Sequence, residues 1–412
     1  MTSAFHRFRS PARHSTVSVL LLLALAPGLA PVAAAQSTRA EAIEQQQAEK
    51  ATSLRPPQPS LVEQKFLEIE EAGGFGVQRG LFVTVGGIKS GSSVAMGPVY
   101  GRTFASGALA QAKVVYSVRN FKLAEALVQS APLAGRRLVV GGRVRWQDAP
   151  VLAVYPFGTA SQSIRADYAE TMTEFSTRAS LRPVRFLFVE GSLGYERFET
   201  RPSDTDRPSV EEVYTPEQLP GLDADPHYLH TTIAGSLDTT TGPGYSRSGT
   251  VLAARFHDYR QQNDGAFSFQ RTDAIARQLI PILHGNWVID LSARLSTTSP
   301  AAGDQVPYFL MPSLGGGRNL RGYSSYRFRD RHTLVVTAEY RWYAQEWVDM
   351  ALYYDAGKAV ARRADLNLQN MRNNVGIGIR FHTPGDTALR LEVAAGNEGL
   401  HYVIGWGPIF RP

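Results

Sequence analysis

The chain has 412 residues, 43 basic and 37 acidic, for a formal net charge of +6, too mild a balance to argue for nucleic acid as a partner. It contains no cysteine, which excludes a disulfide framework and a thiolate metal site. After the first thirty-five residues no long uncharged apolar run occurs, and this excludes a helical membrane protein.

The first residues read as an export signal. Arg7, Arg9 and Arg13 make a positive start, Val17 to Ala26 is an apolar core broken at Pro27, and Ala33-Ala34-Ala35 offers a small-residue cleavage site before Gln36. The apolar run is shorter than the roughly 20 residues of a spanning helix, so residues 1–35 are expected to be cleaved as a signal peptide rather than kept as an anchor. Cleavage removes three Arg and no acid, leaving 40 basic against 37 acidic residues, or +3.

Residues 36–79 are expected to form a short periplasmic leader. It holds Gln45-Gln46-Gln47, a Pro-rich spacer Arg55-Pro56-Pro57-Gln58-Pro59, and one amphipathic stretch, Leu61 to Ala72, whose spacing predicts a short helix. The leader is too short for a second globular domain of ordinary size.

From Leu81 onward the period is two, over a domain expected to run from 80 to 410. Trp287, Ile289, Leu291, Ala293 and Leu295 share one face, and Asp290, Ser292, Arg294 and Ser296 the other. Val140, Val144 and Trp146 stand against Arg143 and Arg145 in the same way, as do Leu389, Leu391 and Val393 against Arg390 and Glu392. Alternation alone fits a soluble sandwich as well as a membrane barrel. The membrane is favoured by aromatic pairs read as interface girdles, Trp342-Tyr343 and Tyr353-Tyr354, by long polar segments such as Thr200 to His230 alternating with tight turns such as Thr383-Pro384-Gly385-Asp386, and by the aromatic last strand, Leu400 to Phe410. The fold class expected is therefore all-β, a transmembrane antiparallel β-barrel. Its length suits sixteen tilted strands with connections of about 20 residues per unit; twelve or eighteen fit as well.

One motif stands out: Leu314-Gly315-Gly316-Gly317-Arg318-Asn319-Leu320-Arg321-Gly322-Tyr323. Leu320-Arg321-Gly322-Tyr323 resembles the inward-folded extracellular loop of the BamA/TamA superfamily, the bacterial surface antigen family, whose hallmark is a hydrophobic residue followed by Arg-Gly-Tyr or Arg-Gly-Phe. Thr337-Ala338-Glu339-Tyr340-Arg341 resembles that family's next strand, and Tyr354-Asp355-Ala356-Gly357 its Asp-x-Gly strand. The resemblance is strongest over 305–410. It implies an outer-membrane barrel that assists insertion or translocation of proteins or lipids, with membrane lipid and lipopolysaccharide around it and client outer-membrane proteins as partners. It is similar to reduced members that lack POTRA domains, and a passive pore or structural barrel is the alternative.

The residues give the loop a physical role of their own. If Leu352 and Tyr354 face lipid, Asp355 faces the lumen, and Glu339 and Arg341 do so when Ala338 and Tyr340 face out. An Arg on a Gly-rich loop then pairs with Asp355 or Glu339, since guanidinium meets carboxylate bidentately. Arg321 is thus expected to be a latch, with Asp355, Glu339 and Gly357 on the wall. A phosphate site is a poor reading of the glycines, because no Lys-Ser or Lys-Thr follows. The last strand is expected to stop near Trp406, before Pro408, leaving a weak seam between Leu81 to Ile88 and Leu400 to Trp406. No Gly-x-Ser-x-Gly or His-Glu-x-x-His occurs, and among nine His only His227 and His230 are close in the mature chain. Neither catalysis nor a cofactor or metal is expected.

Overall fold

A computed structural model of the chain describes residues 80–406, apart from the turn residues 242–245, 284–285, 346 and 383–386. The signal peptide, the leader with its helix, the Thr383 to Asp386 turn and Pro408 lie outside the described residues.

Sixteen strands make one antiparallel sheet that curls into a nearly closed barrel. In chain order they begin with β1 (Gly80–Gly86), β2 (Ala95–Thr103), β3 (Leu109–Ser117), β4 (Lys122–Gln129), β5 (Leu138–Val154), β6 (Ala166–Val184) and β7 (Leu187–Pro202). They continue with β8 (His227–Asp238), β9 (Gly249–Gln261), β10 (Phe269–Ile282) and β11 (Trp287–Pro300). Two short strands inside a loop follow, β12 (Ser313–Leu314) and β13 (Phe328–Arg329), and then β14 (His332–Gln345), β15 (Val348–Val360), β16 (Arg372–His382), β17 (Thr387–Gly396) and β18 (Gly399–Trp406). Each wall strand pairs with its sequence neighbours, except that β11 pairs with β14 across the long loop that holds β12 and β13. The strand count expected from length is the one found.

Alternation decides which side each residue meets. Leu352 and Tyr354 are exposed outward while Ala351, Tyr353 and Asp355 are buried inward, as a period of two requires. The outer face carries exposed Leu81, Val144, Phe175, Leu291, Ile377 and Tyr402, a belt suited to hydrocarbon rather than water. Trp287, Tyr340 and Trp342 cluster at the turn end of β11 and β14, with Trp287 and Tyr340 ring centroids 5.8 Å apart, where an interface girdle belongs. Tyr353 corrects the girdle expectation for Tyr353-Tyr354. It lies mid-strand and points into the lumen, because it shares the face of Asp355.

Short connections sit at one end, for example the two residues between β6 and β7, and long ones at the other, for example 203–226 and 301–331; in this architecture these are the periplasmic and extracellular ends. The long loops and the strand ends beneath them bury a shared apolar core that includes Leu152, Tyr168, Phe198, Tyr228, Tyr308 and Phe309. Tyr308 meets Tyr168 edge-on at 4.9 Å. Each such side chain contributes about 1.5–3 kcal/mol on burial, so the extracellular end of the lumen is capped by a hydrophobic plug.

Candidate functional site

The loop between β11 and β14 folds back into the barrel. Its base is closed by the β12–β13 ladder, where Ser313 faces Arg329 and Leu314 faces Phe328. Asn319 sets the turn: its Oδ1 accepts from the Gly315 and Leu320 amides at 2.8 and 2.6 Å. Leu314, Leu320, Tyr323 and Phe328 pack on Val335 and Ala359 of the wall. Gly322 presses on β16 and β17 so closely that a Cβ there would lie 2.4 Å from Asn374 Cβ and 3.1 Å from the Gly396 nitrogen. Gly357 has the same meaning on the wall, since a Cβ there would be 3.0 Å from Leu314 Cδ1.

This packing carries Arg321 to the lumen wall, where it is 1% exposed. Its Nε and Nη2 donate to the two oxygens of Asp355 at 2.9 and 2.8 Å, the parallel geometry that suits guanidinium to carboxylate. Its Nη1 donates to Glu339 at 3.3 Å and to Glu392 at 3.2 Å. The Tyr353 ring lies beneath it, with the guanidinium carbon 3.3 Å from the ring centre, an electrostatic attraction that strengthens with desolvation. Asp355 also accepts from Thr337 Oγ1 at 2.9 Å and Asn374 Nδ2 at 3.0 Å. All four residues expected at this place, Arg321, Asp355, Glu339 and Gly357, therefore meet the loop.

The sequence reading did not name the rest of the cluster. Arg380 Nη2 donates to Glu339 at 2.6 Å and to Glu392 at 3.1 Å. Arg390 Nη1 donates to Glu392 at 3.0 Å, and its Nη2 donates to the Gly317 carbonyl at 3.3 Å. Arg380 and Arg390 face each other across β16 and β17, an unfavourable pairing alone, and Glu392 stands between them. Three guanidinium groups thus share three buried carboxylates. Gly376 and Gly378 leave the room: a Cβ on Gly376 would lie 2.3 Å from Tyr353 Cζ and one on Gly378 2.8 Å from Glu392 Cγ. Arg390 and Glu392 were visible as inward charges by alternation, and the same rule applied to β16 would have added Arg380.

Other buried polar groups line the wall. Arg277 forks onto Asp290, with Nη2 to Oδ2 at 2.6 Å, and Asp349 pairs with His382 at 2.7 Å. His227 and His230 do not converge. They open β8 rather than lying in a loop, and His230 instead bridges Glu196 at 2.7 Å and His257 at 2.9 Å while His227 meets the Tyr195 hydroxyl at 3.0 Å. Among the described residues no group of three or more His, Asp or Glu is arranged to hold a metal ion.

A membrane-type barrel with a re-entrant loop salt-bridged to its wall is the class this geometry defines. Residues 133–400 match the Omp85 superfamily domain, and the chain belongs to that superfamily. Its fold is similar to the crystal structure of BamA from Haemophilus ducreyi lacking POTRA domains 1-3, with 13% identity, a TM-score of 0.59, and 79% of this chain and 69% of that one covered. It is also similar to CdiB from Escherichia coli, with 11% identity, a TM-score of 0.54, and 79% and 61% covered. No curated protein matches the chain in sequence.

Proposed function

We propose that this barrel assists insertion or translocation of proteins at the outer membrane by opening the seam between β1 and β18. One observation carries the reading: β1 and β18 are the two ends of the sheet, and among the described residues no backbone ladder joins them. Their outward faces are apolar and open, with Leu81 75% and Tyr402 78% exposed. An unpaired edge is a template for strand addition, so client strands of outer-membrane proteins are the partners, with membrane lipid and lipopolysaccharide as the surrounding solvent. The first hairpin is also loosely held. The β2–β3 ladder has a gap at Gly97 and Pro98, where proline supplies no N–H.

The apolar cap and the inward loop favour this reading over a passive pore, which needs an open water path. The protein acts without a chemical reaction of its own, without a cofactor, and reaches its membrane by the signal peptide of residues 1–35.

The test is a disulfide between a cysteine in β1 and one in β18, with the protein reconstituted in liposomes. The oxidised protein is expected to stop inserting a client barrel and to recover on reduction. Full insertion by the locked protein, together with steady conductance in planar bilayers, would overturn the reading in favour of a pore.

A further inference from the structure

The extracellular end of the seam carries contacts that the strands themselves do not make. Tyr326 and Arg327 are consecutive residues of the re-entrant loop, and they reach hairpins on opposite sides of the seam. The Tyr326 hydroxyl donates to the Ser90 carbonyl at 3.2 Å, in the β1–β2 loop. Arg327 Nε donates to Glu398 Oε1 at 2.7 Å, in the β17–β18 turn.

The anchor is itself held from behind. Arg327 is 2% exposed, its Nη1 and Nη2 donate to the Ser161 hydroxyl and carbonyl at 3.0 and 2.9 Å, and its guanidinium lies 4.6 Å from the Phe328 ring centre. Tyr326 sits at φ +64°, a left-handed conformation that is an outlier for a bulky side chain and persists only where the surroundings impose it. On the β1 side, Lys89 also pairs with the buried Glu170 of β6. That pair ties the hairpin to the wall, whereas only the Tyr326-Arg327 anchor touches both hairpins.

We infer that Tyr326 and Arg327 are positioning residues that strap the outer end of the seam, holding the β1–β2 and β17–β18 hairpins to one two-residue anchor and so limiting how far the edge strands part. A side-chain strap stands there in place of a backbone ladder. It can release one hairpin by breaking a single contact, while a ladder would have to unzip. The consequence for client insertion rests on the proposed seam function; the geometry of the strap does not.

The experiment uses the full-length protein in lipid nanodiscs, with spin labels at Ser93 and Asn397, both exposed and one on each side of the seam. Tyr326→Phe with Glu398→Ala removes one hydroxyl and one surface carboxylate, so the loop keeps its ring packing and its Ser161 bonds. The width of the inter-label distance distribution is expected to about double, since local opening draws on the least-contacted segments. Glu398→Gln, which keeps an acceptor, should restore much of the wild-type width. A control pair at Asp206 and Asp264, both exposed in loops away from the seam, should not change. An unchanged Ser93 to Asn397 distribution overturns the strap. A broadened one with faster client insertion supports both the strap and the seam, and a broadened one with unchanged insertion keeps the strap and overturns the seam function.

Discussion

The wall of β14 to β17 and the wall of β1 to β4 belong to one sheet and follow one alternation, yet they are built for opposite ends. The latch wall has strands of 14, 13, 11 and 10 residues, and its inward face holds a sealed set of charges closed over by the loop. The seam wall has strands of 7, 9, 9 and 8 residues. Tilted by 35–45°, these span only about 18–24 Å, less than the apolar band of about 25 Å that such barrels carry. Stability is thus concentrated opposite the place that is proposed to open. Marginal stability placed where motion is needed is the general expectation for working segments.

The largest expected effect strikes the latch. Arg321→Ala leaves Asp355, Glu339 and Glu392 with one buried cation fewer, and removing one partner of a buried pair costs about 3–5 kcal/mol. Arg321→Ala and Asp355→Ala should each lower the temperature at which the folded band of the barrel converts in detergent gels. The double variant should be little worse than either, because both break the same fork. Arg321→Lys should not rescue, since ammonium cannot fork onto Asp355. A coupling energy of zero would mean the latch wall is no firmer than the seam wall.

Gly322→Ala tests whether the loop's fit or its charge holds the latch. The added methyl meets Asn374 Cβ at 2.4 Å and backbone at 3.1 Å, and overpacking of this kind costs about 1–3 kcal/mol. The expected loss is smaller than that of Arg321→Ala and appears in the same gel assay. If Gly322→Ala proved neutral, the loop would sit off the wall and the short contacts to β16 and β17 would be wrong.

The contrast between the walls was partly legible in the sequence. Face alternation placed Asp355 and Glu339 inward, and the Arg-Gly-Tyr motif placed a cation against them. It failed at Tyr353 because an adjacent Tyr pair was read as a girdle, although a period of two puts its members on opposite faces. Arg380 and Glu392 were out of reach as partners: Glu392 lies 71 positions from Arg321, and cross-strand pairing needs the register as well as the face. The cap was invisible for another reason. Leu219, Leu222, Val306 and Tyr308 lie in loops without any period, so nothing in their spacing announces burial.

The smallest effect is the most telling for the comparison, because it asks the same chemistry of both walls. Glu125 on β4 pairs with Lys113 on β3 at 2.9 Å, with the lysine side chain 28% exposed, while Glu392 serves three arginines and its side chain is 0% exposed. Glu→Gln changes almost no volume, so each substitution reads the charge alone. Glu125→Gln is expected to cost about 0–1 kcal/mol, as for pairs in contact with water, and salt should erase much of that. Glu392→Gln leaves three buried guanidinium groups on two carboxylates and should cost about 3 kcal/mol or more, with little salt dependence. Melting both variants at low and high salt separates the outcomes. Equal losses with equal salt sensitivity would show that water reaches the latch as freely as the seam, and the division of the barrel into a firm wall and a yielding one would fall.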